Sequence, residues 1–236
     1  MHDSRTAHQR SSCVTVAERL EALRAQIDAE LEASSRTAGS VTLVGIAKRQ
    51  PIRAIEDAVA AGLADVGENY VQEMRRIAHA LPSRVRRHFV GHVQRNKAKA
   101  IVELFDVVQS VDGIDVGMAL AKAAAAAGRV LPVLIQLNIS PSERFGCPPE
   151  QADRLAEQLR AQPSLRVEGA MAIGPLGVDR DATLKAFELA AKTFGRIGGS
   201  TLSMGMSGDW REAVRAGSTM VRIGTALFGR RGPKDV

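Results

Sequence analysis

The feature that most constrains this chain is an alternation of short apolar strands with helices, carried through eight strands. The segment VTLVGIA, residues 41–47, is short, apolar and rich in β-branched residues, the pattern of a strand buried on both faces. Further strands are expected at Ala64–Val66, His88–Val90, Phe105–Gln109, Val130–Asn138, Arg166–Ile173, Thr201–Met204 and Thr219–Ile223. The intervening segments Ile52–Ala61, Tyr70–Ala80, Asn96–Leu104, Ile114–Ala127, Pro149–Ala161, Arg180–Phe194 and Gly208–Ala216 read as helices. Pro51 stands where the first of these begins, a position that tolerates a missing amide hydrogen. One more helix, Val14–Ser34, precedes the first strand, with Val16, Leu20, Leu23, Ile27 and Leu31 spaced to share one face.

Such units give a parallel sheet with right-handed crossovers. Eight strands within about 190 residues suit a closed (β/α)8 barrel of the TIM type better than an open doubly wound sheet, the alternative architecture. No Pro-, Gly- or Ser-rich linker divides the chain. The expected organisation is a single α/β domain over 14–230, with an extra N-terminal helix, a flexible tail at 1–13 and a short tail at 231–236.

Composition excludes several functions. The sequence holds one Trp, one Tyr and six Phe, too few for a base-stacking nucleic-acid platform. The net charge is +6, and its excess is local: Arg75, Arg76, Arg84, Arg86, Arg87, Arg95, Lys97 and Lys99 lie in a stretch without an acidic residue. This reads as a solvated face beside an anionic-ligand site, with nucleic-acid binding the weaker alternative. Cys13 and Cys147 make no disulfide framework or metal spacing, which suits a reducing cytosol. Residues 1–12 lack the apolar core of a signal peptide, and no apolar stretch approaches the ~20 residues that span a bilayer. A cytoplasmic protein with no membrane partner is expected.

In a barrel of this kind the chemistry lies at the carboxyl ends of the strands. Lys48 follows the first strand, Gly67-Glu68-Asn69-Tyr70 the second, Gly91-His92-Val93-Gln94 the third, Met204-Gly205-Met206-Ser207-Gly208 the seventh, and Gly224-Thr225-Ala226 the eighth. Small residues and hydroxyls after strands seven and eight suit a phosphate, with turns and caps as the plainer reading. Lys48 is expected to point to the barrel mouth, where partial desolvation would favour the neutral amine that a Schiff base with an aldehyde requires, with a snorkelling lysine at a strand end as the plainer reading. Arg222, between Val221 and Ile223, needs a partner if buried, and a ring nitrogen or a carboxylate would serve. Together these suggest pyridoxal phosphate. His88 and His92 flank a strand end and make no metal site. Asp112 reads as a helix N-cap.

The motifs VGIAK (44–48), GENYVQEM (67–74), HFVGHVQRNK (88–97), LIQLNIS (134–140) and LSMGMSGDWREAVRAGSTMVRIGTALFG (202–229) resemble those of the YggS/PROSC family of pyridoxal-phosphate-binding homeostasis proteins, from about residue 14 to 230. The resemblance implies a barrel like the N-terminal domain of alanine racemase, with pyridoxal 5′-phosphate (PLP) held as an internal aldimine on Lys48. It implies that Arg222 faces the pyridine nitrogen, that Ser207, Gly224 and Thr225 hold the phosphate, and that Asn69, Ser203 and Met204 line the cofactor with His88 nearby. A charged arginine there leaves the ring nitrogen unprotonated and weakens the electron sink. The chain departs from the family at Gln50, where many members carry a second lysine, and at Ser142-Glu143-Arg144-Phe145-Gly146 in place of an SKSG segment; both departures bear on any secondary cofactor site.

The implied role is a non-catalytic carrier that buffers PLP or delivers it to PLP-dependent apo-enzymes, as a monomer or weak dimer, with no catalytic residue assigned. The alternative is a racemase-like enzyme. Alanine racemase adds a C-terminal β domain whose tyrosine acts as the second base, whereas the sole tyrosine here, Tyr70, lies in another motif, and the expectation is that the second base is missing.

Overall fold

The computed structural model describes residues 14–140 and 145–229. The expected tails at 1–13 and 231–236, Cys13, and Ser142, Glu143 and Arg144 of the departing segment lie outside the described residues. Eight parallel strands close on themselves in sequence order: β1 Thr42–Ile46, β2 Asp65–Glu68, β3 Arg86–Phe89, β4 Val107–Val111, β5 Leu131–Leu137, β6 Leu165–Ala172, β7 Thr201–Ser203 and β8 Met220–Ile223. Closure is made by β1 against β8, with Val44 opposite Arg222. The barrel is closed, and the open-sheet alternative is set aside.

Seven α-helices connect the strands: α2 Ile52–Ala60, α3 Val71–Ile77, α4 Ala98–Leu104, α5 Ile114–Ala126, α6 Ala152–Arg160, α7 Arg180–Ile197 and α8 Trp210–Arg215. Before them comes α1, Val16–Ala33, and after β8 comes the short α9, Thr225–Phe228. Thr15 and Glu18 close a capping box on α1, which satisfies amide hydrogens that a helix start otherwise leaves unpaired. The α1 face carrying Leu20, Leu23, Ile27 and Leu31 is buried, as its spacing predicts. The expected strands at His88–Val90 and Phe105–Gln109 begin two residues earlier and two later, respectively, than the sequence pattern suggests. Pairing to neighbouring strands fixes these bounds, and an isolated pattern carries no information about register.

Two buried regions result. The larger lies between strands and helices and is mainly apolar, with Leu31, Ile55, Ile101, Leu120, Leu159 and Phe187 among its members and a few buried polar side chains such as Thr183 and Thr193 of α7. The smaller is the barrel interior. Val44, Val107, Leu134, Met171 and Met220 are buried but stand apart from the outer cluster. With them sit the buried polar residues Asp65, His88, Gln109, Ser203 and Arg222. Barrel interiors are usually filled by branched aliphatic side chains, so this polar content calls for an account.

Candidate functional site

The mouth is built where β1, β7 and β8 end. Lys48 lies two residues past β1, half-buried, and its Nζ stands 5.3 Å from the centroid of the Tyr70 ring. Arg49, next in the chain, has φ +56°, a left-handed conformation uncommon for a residue with a side chain. After β7, Gly205 takes φ +92°, and a side chain there would collide with Ala213 and Trp210; this glycine lets the chain turn sharply into α8. Ser207 follows, and its Oγ accepts a hydrogen bond from the Ala226 amide at 3.2 Å. That contact ties the β7 loop to α9 and leaves the hydroxyl proton available. Thr225 and Gly208 are exposed beside it, and Gly224 packs near Ile46. Ser207, Gly224 and Thr225 are therefore gathered at the end of the barrel that holds Lys48.

Arg222 is 4% exposed. Its Nη1 donates to the Ser203 carbonyl at 2.8 Å and to Ser203 Oγ at 2.7 Å, and its Nη2 donates to the Ala172 carbonyl at 2.8 Å. Among the described residues its Nε–H finds no acceptor. Burial pushes the guanidinium down to about 10, partly offset by nearby Asp209, so it stays charged at neutral pH. The partner expected as a ring nitrogen or carboxylate is, within the protein, a set of uncharged oxygens.

Asn69 is half-buried at the end of β2 and borders a cavity of about 330 Å³ with Tyr70, Gly91, His92, Gln94 and Lys97. Gly91 is obligatory, because a side chain there would overlap the Asn69 carbonyl. His88, Ser203 and Met204 are more deeply placed than the other expected site residues. All three are buried. Met204 belongs to the outer apolar core; His88 and Ser203 lie below the mouth, in the barrel interior.

Two further expectations are revised. Asp112 does not cap α5, whose N-cap is Gly113; its carboxylate instead approaches His92 Nδ1 at 3.5 Å. Tyr70, placed by the sequence in a separate motif, stands next to Lys48. Five of the eight basic residues between Arg75 and Lys99 are in ion pairs: Arg76 with Glu73, Arg86 with Asp65, Arg87 with Asp106, Arg95 with Asp115 and Lys99 with Glu103. Part of the basic stretch is thus paired within the fold, two of the pairs being between exposed side chains. Among the described residues no cluster of His, Cys, Asp and Glu is suited to a metal ion. Burial, with Glu150 and Asp112 nearby, raises the Cys147 thiol to about 11, so it stays protonated and unreactive.

Sequence reasoning missed three residues. Asp65 accepts from His88 Nε2 and Arg86 Nε, both at 2.8 Å. Burial alone would raise its pKa, but the hydrogen bond from His88 and the Arg86 charge outweigh it and hold the carboxyl below its usual range. Gln109 joins His88 to Ser203. Glu68 is fully buried, with Oε2 accepting from the Asn69 amide at 3.0 Å and Oε1 without a partner. Burial raises it to about 7, with Glu73 adding and Lys48 and Arg76 opposing. Gln109 carried the same signal that exposed Arg222, a polar residue in an apolar strand.

A closed parallel barrel with a lysine past its first strand and small residues after its last two is the architecture of the alanine racemase N-terminal domain, and the model of that family matches residues 5–232. A pyridoxal phosphate homeostasis protein of Pseudomonas aeruginosa is 39% identical, over 92% of this chain and 96% of the relative. Its namesake in Escherichia coli K12 is 35% identical, over 92% and 97%. The structure of PipY from Synechococcus elongatus PCC7942, solved with PLP bound, superposes with a TM-score of 0.81 at 33% identity, covering 91% of this chain and all of PipY. An alanine racemase of Streptomyces coelicolor shares the fold alone, with a TM-score of 0.66 at 24% identity over 58% of its length. This chain belongs to the family of pyridoxal phosphate homeostasis proteins.

Proposed function

We propose that the protein binds PLP at the barrel mouth, holds it covalently through Lys48, and stores or delivers it within the cytoplasm instead of catalysing a reaction. The observation that carries this reading is the unused Nε–H of a charged, buried Arg222 at the barrel end that also holds Lys48. PLP offers an aldehyde, a phosphate and a ring nitrogen. Lys48 supplies the amine, Ser207, Gly224 and Thr225 line the phosphate side, and Arg222 offers a fixed N–H to the ring nitrogen, so the residues fit the group. Asn69 borders the mouth from β2. PLP-bound PipY and the names of the relatives support the assignment.

When bound, PLP supplies an electron-withdrawing ring. Arg222 keeps its own proton and leaves the ring nitrogen unprotonated, which weakens that withdrawal. Such a site suits holding and release better than turnover. The protein acts as a monomer or weak dimer that hands PLP to apo-enzymes, and no described helix is long and apolar enough to cross a membrane.

The racemase-like reading gains one observation, the Tyr70 ring beside Lys48. A second base, however, must act on the substrate face opposite the lysine, and Tyr70 flanks the lysine itself.

Two measurements test the proposal. Borohydride treatment of PLP-loaded protein should fix the cofactor on Lys48, and Lys48→Ala should lose the adduct while staying folded; an adduct on Lys97 or Lys99 would overturn the attachment. Deuterium exchange at the α-carbon of alanine or serine should not exceed that of free PLP. Saturable exchange that vanishes in Lys48→Ala would make the protein an enzyme.

A further inference from the structure

The polar residues inside the barrel form one continuous chain, and its hydrogen bonds run in a single direction. Arg222 Nη1 donates to Ser203 Oγ at 2.7 Å. An arginine accepts nothing, so the Ser203 proton points elsewhere, to Gln109 Oε1 at 2.7 Å. That contact orients the Gln109 amide: its Nε2 faces His88 Nδ1 at 2.9 Å and donates to it. His88 Nδ1 is then an acceptor, and the ring proton sits on Nε2, aimed at Asp65 Oδ1 at 2.8 Å. Arg86 Nε closes the far end on the same Asp65 oxygen, also at 2.8 Å. Turning the Gln109 amide around would leave the Ser203 proton without an acceptor, a costly outcome in a sealed interior. The chain visits β8, β7, β4, β3 and β2 and crosses the barrel. None of its side-chain atoms is among the sealed polar atoms that lack a partner.

Four polar side chains in a barrel core are not needed for stability, since well-packed apolar residues of similar volume commonly do as well or better. Their order, however, does something an apolar core cannot. Gln109 takes the Ser203 proton, which obliges the hydroxyl to present a lone pair to Arg222. With Nη1 and Nη2 anchored in this way, the guanidinium plane is fixed, and Nε–H is the donor for which no acceptor is found among the described residues. The anionic end of the chain, Asp65, is held in place by Arg86. Without Gln109 the hydroxyl could rotate, and Arg222 would lose one of its fixed acceptors.

We propose that Gln109, His88 and Asp65 are positioning residues for Arg222, fixing through Ser203 the orientation in which it meets the cofactor ring nitrogen. The inference rests on the PLP reading above. It predicts that residues far below the mouth alter cofactor binding without touching the cofactor.

The test uses the full-length protein, titrated with PLP and followed by its visible absorption. Gln109→Leu should weaken PLP by about tenfold, the value of a hydrogen bond to a charged group, and move the absorption band of the bound cofactor, because the ring nitrogen meets a displaced arginine. In a Ser203→Ala background the same substitution should do nothing further, since the link is already cut. Asp65→Asn keeps the shape and one acceptor but removes the charge, so it serves if Gln109→Leu does not fold; it should weaken PLP severalfold and shift the band in the same direction. A folded Gln109→Leu or Asp65→Asn with unchanged affinity and band, or a Gln109→Leu effect that persists in full on Ser203→Ala, would overturn the chain. Wild-type protein that takes up no PLP would overturn the parent reading instead.

Discussion

The two buried regions of this molecule follow opposite rules. Between strands and helices, the packing is mainly apolar, and the buried threonines of α7 bond only to their own helix. Inside the barrel, a matched polar chain runs from Asp65 to Arg222, and near the mouth the matching stops: Arg222 Nε has no acceptor among the described residues and Ser207 retains a donor. The outer region is where burial stabilises the fold. The inner region sacrifices apolar burial to orient one arginine. Polar groups whose donors and acceptors balance within the protein are framework; those left with a spare donor at a concave end mark where a ligand belongs.

Substitutions should separate the two regions. The largest effect is expected in the outer one. Leu120→Ala, on a fully buried α5 residue, should destabilise the protein by about 2–5 kcal/mol in urea unfolding while leaving the PLP affinity of the folded protein unchanged; a parallel loss of affinity would show that the regions are not independent.

Next comes Glu68, at the boundary. Its carboxyl is raised from 4.5 to about 7, so the folded state holds the proton more tightly than the unfolded chain. The stability it contributes is present below about pH 4.5 and is lost as pH rises through 7, a difference of roughly 3 kcal/mol. Glu68→Gln, which cannot ionise, should flatten the fall in unfolding free energy between pH 5 and 8.5. A variant with the wild-type slope would place the titration elsewhere.

The smallest effect probes the mouth alone. If Thr225 donates to the cofactor phosphate, Thr225→Val should weaken PLP by tenfold or somewhat more, corresponding to about 1.5–3 kcal/mol, yet hardly change unphosphorylated pyridoxal or thermal stability. Equal weakening of both ligands would show that the residue only shapes its loop.

The sequence exposes the outer region well and the inner one poorly. The α1 stripe and the apolar segment 41–47 declare their burial through spacing, because burial on one face or two imposes a period. Lys48, Ser207, Gly224 and Thr225 are legible because strand ends in a barrel share one face. His88 and Ser203 are legible as strand residues, but their burial is not, since depth depends on strand register. Gln109 and Asp65 are invisible as a pair: their link passes through the lumen between strands remote in sequence, and no local pattern encodes it. Tyr70 illustrates the same limit, being remote from Lys48 in motif and adjacent in space.

The pairing of Val44 with Arg222 has a consequence for how the protein comes into being. Lys48 extends from the first strand of the barrel and Arg222 sits on the eighth, so neither meets the other until the ring of strands has closed. Contacts between such distant segments form late, after the entropy of closing the intervening chain has been overcome. During synthesis, seven of the eight strands emerge before the strand that carries the arginine. On the proposed reading, a site that needs both Lys48 and Arg222 is complete only when the last strand has joined the first.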